Sequence, residues 1–127
     1  MGKIDYFYSA EVLKIVDADT IDIRIDLGLS VQVNIRTRLH RIDAWEVRGE
    51  EREKGLLAKA RVEELIPVGT EVTVNTHKDK KGKYGRYLVE IFTANNKNVN
   101  NILLTEGHAV VYGTKPKENT KKKEESK

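Results

Sequence analysis

Two acidic segments have the residue types and the spacing for metal-ion chemistry. Asp19 lies in the sequence V-D-A-D-T, and Asp43 and Glu46 lie in R-L-H-R-I-D-A-W-E, which begins at Arg38. Two carboxylates about 4 Å apart repel by roughly 4 kcal/mol at a partly exposed site, so they share a site only with a cation or a proton. The chain has no Cys and three scattered His, so these hard oxygen donors suit Ca²⁺ or Mg²⁺.

Basic residues in and near these segments could bind an anion. Arg38 begins the second acidic segment, and Arg86 ends a K-Y-G-R sequence that starts at Lys83. A guanidinium presents a planar fork that matches a phosphate, and Tyr84 adds a hydroxyl group. An anion that contacts both the metal and the arginines would account for both sets of residues. A phosphodiester meets this description.

Each segment also has a purely structural interpretation. An Asp at a turn position accepts hydrogen bonds from its own backbone, which predicts a simple turn for V-D-A-D-T. Arginine–carboxylate pairs in a polar surface loop contribute less than about 1 kcal/mol each. The K-Y-G-R sequence would equally suit a solvated hairpin tip. Only the combination of the three segments favours a functional site.

Two-residue alternation predicts the strands that would position these groups. Apolar and polar residues alternate over 21–25 and 31–36 around a turn at Gly28, which predicts a β-hairpin whose second arm continues to Leu39. Other runs rich in β-branched and aromatic residues predict strands over the ranges 8–16, 70–75, 87–92 and 109–112.

Two helices are predicted between and after these strands. An acidic first turn and an apolar stripe that includes Ala58 and Val62 predict a helix over 50–66. A short second helix fits 99–106, with Asn98 as its N-cap. The order predicts a mainly β chain with helices (α+β): a five-stranded OB-fold barrel with a helix after strand 3 and a second helix near the C-terminus. This scaffold alone does not determine a function.

Length and composition predict one domain with a tail. The 127 residues are 39% hydrophobic, enough for one core, and we assign residues 1–113 to the domain and 114–127 to a Lys- and Glu-rich disordered tail. The net charge of +3 arises between Lys115 and Lys127, where there are six Lys and three Glu. No apolar run suits a membrane span and no secretory signal begins the chain, so we expect a cytoplasmic protein, secreted only if a precursor segment is missing. The sequence does not reveal the oligomeric state, and a monomer is the default expectation.

The ordered motifs resemble those of the staphylococcal nuclease (thermonuclease-like) family over about residues 12–112. V-D-A-D-T is similar to the family's D-G-D-T turn, with Ala in place of the usual Gly. The second acidic segment is similar to R-L…D-x-P-E, with Trp45 in place of Pro, and K-Y-G-R matches K-Y-G-R. The family's V-N-x-x-L-x-x-x-G-x-A helix pattern matches from Val99 onward. Each motif is unspecific alone, but the ordered set is specific.

The resemblance implies a calcium site. Asp19, Asp43 and the backbone carbonyl of Ala44 match the family's metal ligands, and Asp17 matches a second acidic residue near the metal. Calcium is preferred over magnesium only through the resemblance. Trp45 would either anchor its loop by burying its ring or stack on a nucleobase.

The resemblance also implies catalytic and substrate-binding residues. Arg38 and Arg86 match two arginines that hold the phosphate, and Glu46 matches the carboxylate that orients or deprotonates the attacking water. The expected substrate contacts are Lys83, Tyr84 and, by a weaker match, Tyr112.

These matches predict a Ca²⁺-dependent endonuclease that hydrolyses phosphodiester bonds of DNA and RNA. We expect little sequence specificity, single-stranded or unwound substrates, and 3′-phosphate ends. The alternative is a catalytically weak or inactive OB-fold module that binds single-stranded nucleic acid through aromatic residues and a basic groove. An aromatic content of 6% suits a stacking surface poorly, and a binding module has no physical need for Glu46.

Overall fold

Alternating apolar and polar residues build a closed barrel in the structure, a computed structural model that describes residues 6–77 and 87–114. The strands are β1 (Tyr6–Asp17), β2 (Thr20–Gly28), β3 (Val31–Leu39), β4 (Ile42–Ala44), β5 (Glu71–His77), β6 (Tyr87–Phe92) and β7 (Ala109–Val111). The helices are α1 (Arg52–Leu65), which a 3₁₀ turn at Gly49–Glu51 precedes, and α2 (Val99–Thr105). The strand order around the barrel is β1-β2-β3-β6-β5.

The barrel confirms the predicted fold class, with α1 after the third barrel strand and α2 near the C-terminus. Its strands pair antiparallel except β3 and β6, which pair in parallel. One interpretation was wrong: the segment that carries Asp43 is not only a loop. Ile42–Ala44 forms β4, which pairs with β7 outside the barrel. Three residues are too few to show a two-residue alternation, and the pairing partner lies far along the chain.

The core lies inside the barrel and beneath α1. The predicted stripe of α1 is buried at Ala58 and Val62, and the inward residues of β2 are Ile21, Ile23 and Ile25. Burial of this apolar surface supplies the main driving force for closing the barrel. No helix in residues 6–77 or 87–114 is long and apolar enough to cross a membrane.

Helix α2 is fixed to the barrel by a buried amide side chain. Asn98 caps the helix, since its side chain accepts the backbone N–H of Asn101 at 3.1 Å, as predicted. Asn100 is 1% exposed, and its Oδ1 accepts the backbone N–H of Ile91 at 3.2 Å. Its Nδ2 donates to the carbonyls of His40 and Val89, each at 3.1 Å. One side chain therefore connects α2, β6 and the turn that leads into β4.

Glu90, a partly buried carboxylate on β6, also connects the start of α2 with the turn that leads into β4. Burial raises the pKa of Glu90, but hydrogen bonds from Asn98, His77 and Arg41 outweigh it, so the pKa lies below its ordinary value. A carboxylate whose pKa is lowered by folding stabilises the folded state fully at pH values above the carboxylate's ordinary pKa. This stabilisation is lost as the pH falls through the lowered pKa.

We expect Asn100→Ala to lower the free energy of unfolding by about 2–4 kcal/mol, because it removes the acceptor of the buried Ile91 N–H and one hydrogen bond from each of the carbonyls of His40 and Val89. Denaturant unfolding monitored by circular dichroism measures this loss. Asn101→Ala, an exposed change one position along the same helix, should cost less than about 1 kcal/mol. Equal losses in the two variants would contradict the structural role of Asn100.

Candidate active site

The turn between β1 and β2 places two acidic side chains at one end of the barrel. Asp17 pairs with Thr20, so Ala18 and Asp19 form the turn between the strands. Asp19 is only 7% exposed, and its backbone carbonyl accepts the N–H of Leu39 at 2.9 Å. The turn is therefore attached to the end of β3.

The guanidinium of Arg38 lies between two carboxylates from different parts of the chain. Arg38 is opposite Thr20 in the β2–β3 register, which brings it beside the turn. Its Nη2 lies 3.3 Å from Asp43 Oδ1 and 3.5 Å from Asp19 Oδ2, and its Nη1 donates to the carbonyl of Ile42 at 3.2 Å. One positive charge thus allows Asp19 and Asp43 to lie close together.

The Asp19 carboxylate also connects the turn to β4. Its Oδ2 accepts the backbone N–H of Ala44 at 2.9 Å, and its Oδ1 accepts the Thr20 hydroxyl at 3.2 Å. Each carboxylate oxygen has two lone pairs, so these bonds leave Asp19 with capacity for a further electropositive partner. Asp19 is therefore part of the structure as well as of the acidic cluster.

These side chains line one small pocket of about 140 Å³. The lining residues are Asp17, Asp19, Thr20, Arg38, Asp43, Ala44, Trp45 and Glu46. Four carboxylates and one guanidinium give this lining a formal charge of −3. The volume is that of about four or five water molecules, at roughly 30 Å³ each. The pocket has room for a small ion together with a phosphate oxygen.

One carboxylate oxygen of a residue that lines this pocket has an unusual environment. Asp17 Oδ1 is buried and has no hydrogen-bond partner among the described residues. A buried carboxylate oxygen without a partner costs free energy, because water solvated it in the unfolded chain. The negative lining and this oxygen together make the pocket electrostatically suited to a cation.

A model of the family described as "Staphylococcal nuclease homologue" matches residues 36–127, most of the chain. The chain belongs to the staphylococcal nuclease family. The matched range includes Arg38, Asp43 and Glu46, whereas Asp17 and Asp19 precede it. The turn is assigned to the site by geometry, through the contacts of Asp19 with Arg38 and Ala44. The comparison with curated proteins gave no match.

Trp45 replaces the proline that is usual in the staphylococcal nuclease family, and it anchors the loop in another way. Its indole Nε1 donates to the carbonyl of Gly107 at 3.0 Å, just beyond α2. The Lys54 ammonium lies 4.7 Å from the ring centroid, a cation–π contact with α1. The half-buried ring therefore connects the loop to both helices.

Tyr112 lies at the rim of the site. The residue is 58% exposed, and the Arg38 Cζ lies 4.9 Å from the centroid of its ring. A guanidinium in this position is attracted to the face of the ring, so Tyr112 restricts where Arg38 can move.

The structure brings together most of the predicted site residues of this staphylococcal nuclease homologue. Five of them line the pocket, namely Asp19, Arg38, Asp43, Ala44 and Glu46. Lys83, Tyr84 and Arg86 lie outside the described residues, as does most of the predicted tail. Within the described part of the chain, no group of three or more His, Asp or Glu side chains has the arrangement of a metal site. The sequence analysis did not identify Thr20 as a residue of the pocket. Extending the predicted β2–β3 pairing to Arg38 would have placed Thr20 opposite it.

A double-mutant cycle tests the Arg38–Asp43 contact. Because the two side chains are 17% and 25% exposed, we expect Arg38→Ala and Asp43→Ala to couple by about 1–3 kcal/mol in unfolding free energy. The Arg24–Glu11 pair is the control: its side chains are 38% and 45% exposed, and it should couple by less than about 1 kcal/mol. Equal coupling in the two pairs would contradict the geometry described above.

Proposed function

We propose that this protein is a metal-dependent nuclease that hydrolyses phosphodiester bonds of DNA and RNA. The observation that carries the proposal is the single pocket in which Arg38 lies between Asp19 and Asp43 while Glu46 lines the same space. A negative pocket alone would repel a phosphodiester. A cation together with a guanidinium would allow a phosphate to enter, and Glu46 would then lie beside it.

We further propose Ca²⁺ as the cation. Asp19, Asp43 and the carbonyl of Ala44 would hold it, with Asp17 close by. The fit rests on hard oxygen donors, the formal charge of −3 and the unpartnered oxygen of Asp17. Ca²⁺ takes six to eight oxygen ligands, so water and phosphate oxygens would complete a set that the protein supplies only in part. When bound, such an ion neutralises the carboxylates and polarises a phosphoryl oxygen.

In this proposal the protein's own groups bind the phosphate and activate water. The Arg38 guanidinium donates hydrogen bonds to phosphate oxygens, whose negative charge increases in the transition state. Glu46 holds a water molecule in line with the scissile P–O bond and accepts its proton as the new bond forms. From the family resemblance, Arg86 would be the second arginine, and Lys83 and Tyr84 would contact nucleotide phosphates. The same resemblance predicts departure of the 5′-oxygen and a 3′-phosphate end.

The charged lining of the pocket supports low sequence specificity. Its carboxylates and guanidinium suit a cation and the reacting phosphate, and contacts to a phosphate carry no sequence information. The exposed ring of Tyr112 at the rim is available to contact a nucleotide. Because a base can approach that ring only when it is not paired and stacked in a duplex, single-stranded or unwound DNA and RNA are the proposed substrates.

Cleavage assays test the proposed function. Single-stranded DNA and RNA are incubated with the protein and Ca²⁺, Mg²⁺ or a chelator, and the fragments and their 3′ ends are analysed. We expect cleavage with Ca²⁺, none with the chelator, and a loss of about 10²–10³ in rate for Arg38→Ala, which removes a transition-state donor. Glu46→Gln should cost about 10²–10⁴, because it removes the general base.

The control is Glu63→Gln, a charge change at an exposed position of α1, which should cleave at the wild-type rate. Cleavage that Glu46→Gln does not slow would contradict the role of this carboxylate. Strands that remain bound and uncut with every metal would instead support the binding module.

A further inference from the structure

The loop between β4 and α1 carries Glu46 on the surface of the protein. Glu46 and Arg48 are exposed, and Val47 between them is partly buried. Surface loops are generally mobile, whereas a catalytic carboxylate has to be held within a fraction of an ångström of its productive position. Contacts that hold the backbone of Glu46 therefore matter for the proposed reaction, because they set the position of its side chain.

The first contact fixes the peptide group before the Cα of Glu46. The backbone N–H of Glu46 donates to Glu51 Oε1 at 2.9 Å. A bond to an ionised acceptor is stronger than a neutral one. Glu51 occupies the N-cap position of α1, yet its side chain makes no capping bond to that helix. The carboxylate is directed back to the loop instead of to the helix.

The second contact fixes the peptide group after the Cα of Glu46. Gly55 is buried in α1, and a Cβ at this position would overlap the carbonyl of Glu46 and lie 2.6 Å from the backbone nitrogen of Val47. Glycine is among the poorest residues for a helix interior, so its presence here needs a reason. The reason is the close approach of the loop backbone, which no other residue permits.

We infer that Glu51 and Gly55 are positioning residues for Glu46, an inference that rests on the proposed nuclease function. One holds the N–H on one side of the Glu46 Cα, and the other admits the carbonyl on the other side. With both flanking peptide groups fixed, the Cα–Cβ bond has one direction, and that direction brings the carboxylate to the lining of the acidic pocket. The pair acts through Glu46 and contacts no substrate.

Kinetics of three variants test this inference. Glu51→Ala removes the acceptor, Glu51→Gln keeps a neutral acceptor oxygen, and Glu50→Ala removes a neighbouring exposed carboxylate as the matched control. We expect Glu51→Ala to lower kcat on single-stranded DNA about 10- to 100-fold with little change in KM, the size of effect that a misplaced catalytic group produces. Glu51→Gln should restore most of kcat, and Glu50→Ala should match the wild type.

Gly55→Ala is the second test, because alanine favours the helix while its methyl group displaces the loop. We expect a loss of kcat in a protein whose circular dichroism shows a retained fold. If this variant does not fold, the Glu51 variants decide the matter.

Amide hydrogen exchange at Glu46 separates this inference from the proposed function. Loss of the hydrogen bond should speed exchange of the Glu46 N–H at least about tenfold in Glu51→Ala but not in Glu50→Ala. If the wild-type protein cleaves no nucleic acid, the proposed function is wrong. The exchange rate of the Glu46 N–H then tests the contact with Glu51 on its own. Equal exchange in the two variants overturns the inference. Equal kcat in the two variants, or a Glu51→Gln protein as slow as Glu51→Ala, overturns it as well.

Discussion

The site depends on one guanidinium that lies between two carboxylates. Without Arg38, Asp19 and Asp43 would repel each other across the gap between the β1–β2 turn and β4. With it they remain close, but a single positive charge does not balance the four carboxylates of the pocket. The residual negative charge is the physical reason to expect a cation there, and the guanidinium is the reason to expect an anion beside it.

The barrel makes this arrangement possible through strand register. Thr20 and Arg38 lie opposite each other in the β2–β3 pair, which directs Arg38 away from the core and toward the turn. A slip of one residue would turn Arg38 to the other face of the strand. Asp19 opposes such a slip, because its carbonyl and carboxylate bond to the backbone of Leu39 and Ala44. The same residue thus stabilises the geometry and supplies charge to the site.

Local patterns predicted the barrel and singled out five residues that line one pocket, and contacts distant in sequence explain what was missed. The alternation around Ile21 and Ile23 predicts the hairpin because burial on one face imposes a period of two. The three residues of β4 carry too short a pattern, and their partner β7 lies far along the chain, after α2. Gly55 is visible as a glycine within a helix, but its contact with the Glu46 carbonyl exists only after α1 packs against the loop.

The most direct test of the central claim is the coupling between calcium and phosphate binding. A nucleoside monophosphate, which has no diester to cleave, is titrated calorimetrically with Ca²⁺ and with a chelator, and Ca²⁺ is titrated with and without the nucleotide. If both bind in the pocket around Arg38, each should tighten the other by the same factor, typically about 5- to 150-fold. Nucleotide affinity that is the same with Ca²⁺ as with the chelator would contradict a shared site for the cation and the phosphate.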